Sequence, residues 1–336
     1  MDWSQSYSAT WRVFRVNRGT WADAEELKSV DGVSASRTAD GNLLESGSME
    51  LTGDFTSDYY RIVMTAEQGG EVERVDIATL LFDINGGDDN YGRTAREADG
   101  FSVLYPASTK TIIEGEYAPK GVDGAEYAAS LLANSINAPI SVEGSFTLND
   151  HVVHEIGSNV LDAVWSVLEA GNFIIQIDGR GIVHIKPKPT EPSLLIDSSS
   201  MGIIMNGISF DSDISEVPNR YIVIIDNNKT IASNDDPESI ISTVIRGYCV
   251  DQVDESPVPV NGETLSAYAD RRLKELSVMK EERSYTREYA AGVHLYSIIR
   301  SSIDEMHGDY RVESQTIDCG RGITVQEKAI KEVLLW

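Results

Sequence analysis

The sequence is short of several things. It has two cysteines, Cys249 and Cys319, in 336 residues. That is too few for a disulfide scaffold and points to assembly inside a cell. Each reads as a small buried hydrophobe set in a strand. Cations are scarce as well: 28 Lys and Arg face 54 Asp and Glu, a net charge of −26. Gripping nucleic acid requires cations that neutralise phosphates, and docking on anionic lipid requires them too. Neither is expected as the main role, although a uniformly acidic surface suits a wall that DNA passes without sticking. No apolar run reaches the length of a bilayer span. The opening residues, MDWSQSYSATWRVFRV, lack the apolar centre of a signal peptide, and folding is expected to begin with them.

Catalytic signatures are missing too. There is no phosphate-binding Walker loop, no dinucleotide glycine fingerprint and no Gly-x-Ser-x-Gly nucleophile elbow; ESGSME (45–50) comes nearest and is one glycine short. The five histidines include a pair in NDHVVHEIG (149–157). A helical zinc motif spaces its histidines at i and i+4, whereas His151 and His154 are at i and i+3, in an extended context. In a strand that spacing sends them to opposite faces, so no metal is expected. DINGGDDN (83–90) starts like a calcium loop with Asp83 and Asn85. Gly87 and Thr94 stand where the EF-hand pattern needs ligands, and a polar hairpin loop is the expectation. DDPE (235–238) and DQVDE (251–255) read as solvated turns.

What is present is ordinary globular composition, 41% hydrophobic and 24% charged, over a length that predicts two or three domains. The first hundred residues carry period two: WRVFRV (11–16), SMELTGDF (48–55), YYRIVMTAEQ (59–68) and RVDIATLLFDI (74–84). ADGN (39–42), EQGGE (67–71) and INGGDDN (84–90) are expected as turns between them. Within 109–192 the period becomes helical. GAEYAASLLANSIN (124–137) aligns Tyr127, Leu131, Leu132 and Ile136 on one face. GSNVLDAVWSVLEAGN (157–172) repeats Val160, Val164 and Leu168, with Ser158 to cap it and Gly171 for the left-handed C-terminal position. A hairpin follows, FIIQID (173–178), GRG, IVHIKP (182–187), and KPKPTEP (186–192) reads as a domain exit. Beyond it come the apolar strand RYIVIID (220–226) and an amphipathic helix in NGETLSAYADRRLKELS (261–277) that buries Leu265, Ala269, Leu273 and Leu276. Strands are expected again at 283–290, 294–303, 309–319 and 322–330.

The order of VPNRYIVI (217–224), NDDPESI (234–240), GETLSAYADRRLKELS (262–277) and DYRVESQTIDCGRGITVQEKAI (309–330) resembles the second half of bacteriophage tail hub proteins, the baseplate or tail-tip hubs. SRTADGNLLESGSMELTGD (36–54) and YYRIVMTAEQGGEVERVDIATLLF (59–82) are similar to hub proteins of phages of Gram-positive hosts. The motifs are short; their order is the stronger signal.

The resemblance implies a mainly β chain with two tube-like β-barrel domains and a small α/β domain. The first barrel would span 1–108 and resume at about 193–225, the α/β insertion 109–192, and the second barrel, with its one helix, 226–336. It further implies a homotrimer without cofactors or catalysis, which joins a sixfold tail tube to a threefold tip and lines the DNA channel. The implied partners are a tail tube or distal tail protein, tip, spike or fibre proteins, and the tape measure protein, in a virion assembled in host cytoplasm. DNA would transit the lumen without specific binding, and no membrane is involved. A tail-associated cell-wall hydrolase and a carbohydrate-binding tip protein are the competing readings; the 14 tyrosines and five tryptophans are scattered and fit core packing as well. Leu334, Leu335 and Trp336 are apolar where free ends are usually polar, so they are expected to dock, on their own domain or as an interface with a neighbour.

Overall fold

A computed structural model describes residues 7–53, 55–90, 93–148, 151–197, 204–212, 214–225, 228–254, 263–290, 292–319 and 323–336. Asn149 and Asp150 of the histidine stretch, Glu255 of DQVDE and the first six residues lie outside them. The chain opens with strands β1 (Ser8–Val16), β2 (Asp23–Glu26), β3 (Val30–Thr38), β4 (Glu45–Thr52), β5 (Asp58–Gln68), β6 (Glu71–Asn90) and β7 (Arg93–Phe101). An α/β stretch follows: α1 (Tyr105–Thr109), β8 (Glu116–Ala118), α2 (Gly124–Ala133), β9 (Ile140–Val142), β10 (Val152–His154), α3 (Val160–Ala170), β11 (Phe173–Ile177) and β12 (Val183–Pro187). Then come β13 (Pro192–Ile196), β14 (Ile204–Ser212), β15 (Arg220–Ile225), β16 (Asn228–Ser233), α4 (Thr243–Arg246), β17 (Asp251–Asp254) and α5 (Leu265–Leu276). Strands β18 (Val278–Glu288), β19 (Ile298–Ile303), β20 (Met306–Cys319) and β21 (Ile323–Leu334) complete a mainly β fold with an α/β part.

Two units form. Met1–Ile208 with Tyr285–Lys328 is the first, and Ser209–Ser284 with Ala329–Trp336 the second. In the first, strands run in the order β18-β21-β20-β3-β4-β7-β6-β5-β1-β2, and β19 joins β20 to β13. The α/β stretch does not separate from these strands, because it shares an apolar core with them. Val16, Trp21 and Tyr59 from the strands pack with Leu132, Leu161 and Leu168 of α2 and α3. The barrel reading divides the chain at 108/109, 192/193 and 225/226, whereas the contacts divide it at 208/209, 284/285 and 328/329.

The inward positions of β3 and β4 alternate as period two requires: Val33, Ala35 and Arg37 on one, Glu45, Met49 and Leu51 on the other. On β21 the inward set is Ile323, Val325, Glu327 and Ala329. Charged groups therefore occupy slots that the pattern reserves for apolar ones. They meet in a row across five strands. Arg287 Nη2 donates to Glu327 Oε2 at 2.7 Å, Gln315 Nε2 donates to the same oxygen at 2.7 Å, and Tyr285 OH donates to Glu327 Oε1 at 2.6 Å. Arg37 Nη1 donates to Gln315 Oε1 at 3.3 Å, Arg37 Nε to Glu45 Oε1 at 2.9 Å, and Arg37 Nη2 to the Ile77 carbonyl of β6. None of Arg37, Glu45, Arg287, Gln315 and Glu327 is more than 5% exposed. Burial pushes the Glu327 carboxyl up, but the Arg287 guanidinium and the hydrogen bonds from Gln315 and Tyr285 outweigh it and hold it below the usual carboxylate range. Glu45 has only Arg37 beside it, with Asp178 opposing. Burial wins there and lifts it to about 7, and its Oε2 has no hydrogen-bond partner.

A third buried arginine locks the α/β hairpin to the strands. Arg61 of β5, 1% exposed, donates to Thr79 Oγ1 and Asp23 Oδ1 and to the carbonyls of Trp21 and Arg180. Arg180 sits at the tip of the β11–β12 hairpin, where Trp21 Nε1 also donates to its carbonyl at 2.8 Å and Thr79 Oγ1 donates to that of Gly179 at 3.0 Å. Gly179 is needed for closeness: a Cβ there would lie 1.7 Å from the Asp76 carbonyl oxygen. Gly181 is needed for its φ of +74°.

In the second unit, β15 pairs β16 antiparallel and β17 in parallel, and β14 pairs β18. Thr264 caps α5, whose Tyr268, Ala269 and Leu273 pack on Tyr221, Val223 and Ala232 of the small sheet. Leu265 and Leu276 join that cluster partly buried.

Several local expectations need correction. INGGDDN is no turn: β6 continues through it to Asn90 in register with β7, past an irregularity between Ile84 and Gly86. A bulged ladder tolerates these glycines, which therefore do not break the strand. Asn159, and not Ser158, caps α3, accepting from the amides of Leu161 and Asp162. Gly171 has φ −98°, and it is Asn172, at φ 56°, that adopts the left-handed conformation. Residues 251–254 form β17 where a turn was expected. Cys249 is exposed outside any strand, while Cys319 is buried in β20 as expected.

Replacing Glu327 by Leu strands Arg287 and Tyr285 and should cost about 3–5 kcal/mol in urea unfolding; a loss under about 1 kcal/mol would show that solvent reaches the row. Because the folded pKa of Glu45 is raised, from 4.5 to about 7, its contribution is full below pH 4.5 and lost as pH rises through 7. The loss should amount to at most about 3 kcal/mol over that window, and Glu45→Gln should abolish this slope in unfolding free energy against pH. For the hairpin, Gly179→Ala should lower stability by about 1–3 kcal/mol and speed amide exchange in β11 and β12; unchanged exchange would mean that the tip does not depend on the Asp76 contact.

Candidate functional site

The structure sends the two histidines of NDHVVHEIG apart. Val153 of β10 pairs with Tyr117 of β8, and His154 pairs with Glu116. His154 is 8% exposed, its Nε2 has no hydrogen-bond partner, and its ring lies parallel to that of Tyr127 at 6.3 Å. Burial lowers its pKa, against the pull of Glu116. His151 is exposed, stacks on Tyr117 and faces its hydroxyl across 2.6 Å through Nδ1. β10 begins at Val152, so His151 lies just ahead of the strand; it meets Tyr117 while His154 meets Tyr127, and the pair does not converge. Among the described residues no group of three or more His, Cys, Asp or Glu is placed to hold a metal. His184 lies between Glu143 and Asp178, its Nδ1 3.2 Å from Glu143 Oε1 and its Nε2 3.3 Å from Asp178 Oδ2. His294 is buried, and burial with the nearby cations Arg37 and Lys186 pushes it down to about 3, so it is neutral. Among the described residues, no helix is long and apolar enough to cross a membrane.

The apolar stretch 334–336 is divided in its use. Leu335 N donates to the Ser277 carbonyl at 2.9 Å, and the Leu335 carbonyl accepts from Ser239 Oγ at 3.2 Å. Trp336 packs on the cluster beneath α5, with Lys274 Nζ 5.2 Å from its ring centroid. Leu334 is left 65% exposed.

The second unit carries a feature that periodicity did not reveal. Residues 234–250 wrap the end of the small sheet, and polar side chains hold them from inside. Asn219 Nδ2 donates to the carbonyls of Ile241 and Tyr248, both at 3.0 Å, and its Oδ1 accepts from Val250 N at 2.8 Å. Asn234 Nδ2 donates to Ser239 Oγ at 2.9 Å, and its carbonyl accepts from Thr243 N at 2.8 Å. Ser242 caps α4. Arg246 turns its guanidinium onto the carbonyls of Val217 and Ile214. Asn219, Asn234 and Ser242 are 0% exposed, while Ile240, Val244, Ile245 and Tyr248 face solvent. The only advance signal was that apolar residues crowd a stretch rich in Asn, Asp and Ser. On the sheet itself, Ile222 stands in register with Ile231 and with Val253, an apolar row on the face away from α5.

The chain matches no protein-family model, and no curated protein is similar to it in sequence. Solved structures are similar to it. A tail protein from Neisseria meningitidis superposes with a TM-score of 0.66 at 11% identity, covering 98% of this chain and 98% of that one. The 43 kDa tail protein of prophage MuSo2 from Shewanella oneidensis gives 0.63 at 10% identity, over 96% and 98%. The prophage tail protein gp18 from Listeria monocytogenes gives 0.53 at 12% identity, over 95% and 94%. Sequences this far apart share their fold through inward-facing pattern rather than identity. Over nearly its whole length, this chain has the fold of phage-type tail proteins.

Proposed function

We propose that the chain is a structural tail hub protein of a bacteriophage or phage-like particle. The observation that carries this is the near-complete, two-way coverage by the tail protein from Neisseria meningitidis, 98% of each chain. In this reading three copies form a ring with two tube-like β-barrel domains per chain, and the segment 109–192 is an α/β insertion in the first barrel. The ring joins the sixfold tail tube, or a distal tail protein, to a threefold tip carrying spike or fibre proteins, and it meets the tape measure protein. It works in the virion tail tip after assembly in host cytoplasm, without cofactor or catalysis. The net charge of −26 supports a lumen that DNA passes without adhering. Leu334, Leu335 and Trp336 are proposed as part of an interface, Leu334 offering the exposed contact.

Sedimentation of the purified chain is expected to give a species three times the 36.9 kDa monomer at assembly concentrations. A strict monomer at every concentration, together with peptidoglycan release in a hydrolase assay, would overturn the reading in favour of a cell-wall enzyme. Deleting 333–336 removes Trp336 from the α5 cluster and should cost about 2–3 kcal/mol of stability. Replacing Leu334 by Ser should leave stability within about 0.5 kcal/mol and weaken assembly; intact assembly in that variant would remove Leu334 from the interface.

A further inference from the structure

The 234–250 loop is built inside out. Asn219 lies beneath it, its buried side holds Asn234 and Ser242 with one apolar residue, Ile241, each 0% exposed, and its outer side holds Ile240, Val244, Ile245 and Tyr248, 52%, 60%, 58% and 53% exposed. Loops ordinarily bury what apolar residues they have and leave amides to water. Here the amides serve the backbone: each side-chain bond of Asn219 goes to a main-chain group of 241, 248 or 250. The apolar side chains are thus held outward by a rigid polar frame. A clustered apolar surface of this kind marks an interaction site.

Charge selects the occupant. Arg246 is the loop's one cation, and its guanidinium is engaged by the Val217 and Ile214 carbonyls. Asp235, Asp236 and Glu238 on one flank are exposed carboxylates, while Asp251 on the other is paired with Arg220 at 2.6 Å. The rim is therefore acidic along the 235–238 flank of an apolar centre. A second copy of this loop would bring an identical acidic rim against it, on a chain of net charge −26. We infer that this face docks a protein segment of the opposite make-up, an apolar stripe flanked by Lys and Arg, on a partner other than this chain. The inference goes beyond the hub reading and does not depend on trimer formation.

The test uses the full chain and two synthetic 18-residue amphipathic helices of the same pattern, one of Leu and Lys, one of Leu and Glu. The Leu/Lys peptide is expected to slow amide exchange at 238–248, and its affinity should fall as salt rises. Val244→Ser with Ile245→Ser should weaken it by roughly tenfold or more, as loss of apolar anchors does. Asp235→Asn, Asp236→Asn and Glu238→Gln together keep the hydrogen-bond acceptors but should weaken binding and flatten the salt dependence. The Leu/Glu peptide should not bind. Equal affinity for wild type and both variants, or protection elsewhere, would reduce the effect to general attraction by an acidic chain and overturn the inference. A wild-type self-association abolished by the Val244→Ser, Ile245→Ser pair, read by sedimentation, would show that a second copy covers the face, and would overturn it as well. A monomeric chain that still binds the Leu/Lys peptide at 238–248 would reject the trimeric hub and leave this inference standing.

Discussion

The first unit depends on a row of buried charge. Glu327 accepts from Arg287, Gln315 and Tyr285, and Gln315 passes the row on to Arg37 and Glu45. Segments nearly three hundred residues apart in sequence are fixed side by side by it. An ion pair in a core is weak evidence for stability, since desolvation offsets most of the attraction. What it does supply is register. A slip of one residue on β21 would turn Glu327 out and leave Arg287 facing apolar side chains. Cross-strand registers around the row agree with this: Arg37 lies opposite both Gln315 and Glu45.

Arg61 does for the α/β stretch what Glu327 does for the strands. Its guanidinium faces the Trp21 and Arg180 carbonyls, Thr79 and Asp23 at once, so the tip of the β11–β12 hairpin is tied to β5, β6 and the β1–β2 turn. The apolar core continues across the same join, from Trp21 and Tyr59 to Leu161 and Leu168. The stretch 109–192 is therefore distinct in its period and continuous in its packing.

Much of the secondary structure was legible. β1, β12, α2 and α5 lie where period two or period 3.6 put them, because each buries mainly one face, and β5 and β11 lie where their apolar runs put them, buried on both faces. Errors gathered where local chemistry is ambiguous. Glycines at 86 and 87 sit within a bulged strand, and Asn159 competes with Ser158 for one cap. Short strands such as β8, β9 and β17 carry too few residues for any period to show.

By itself, the sequence determined a mainly β chain with an α/β stretch, the acidity of its surface and the absence of known catalytic signatures, since these rest on composition and local period. Only the tertiary structure decided that Arg37, Glu45, Arg287 and Glu327 belong to the core. In the sequence each is one more charge among 82. Their burial depends on partners that lie up to 278 positions away, as Arg37 and Gln315 do. The outward face of 234–250 was equally hidden: which side of a loop is apolar depends on where Asn219 holds its backbone, and that is a long-range hydrogen bond which no local pattern encodes.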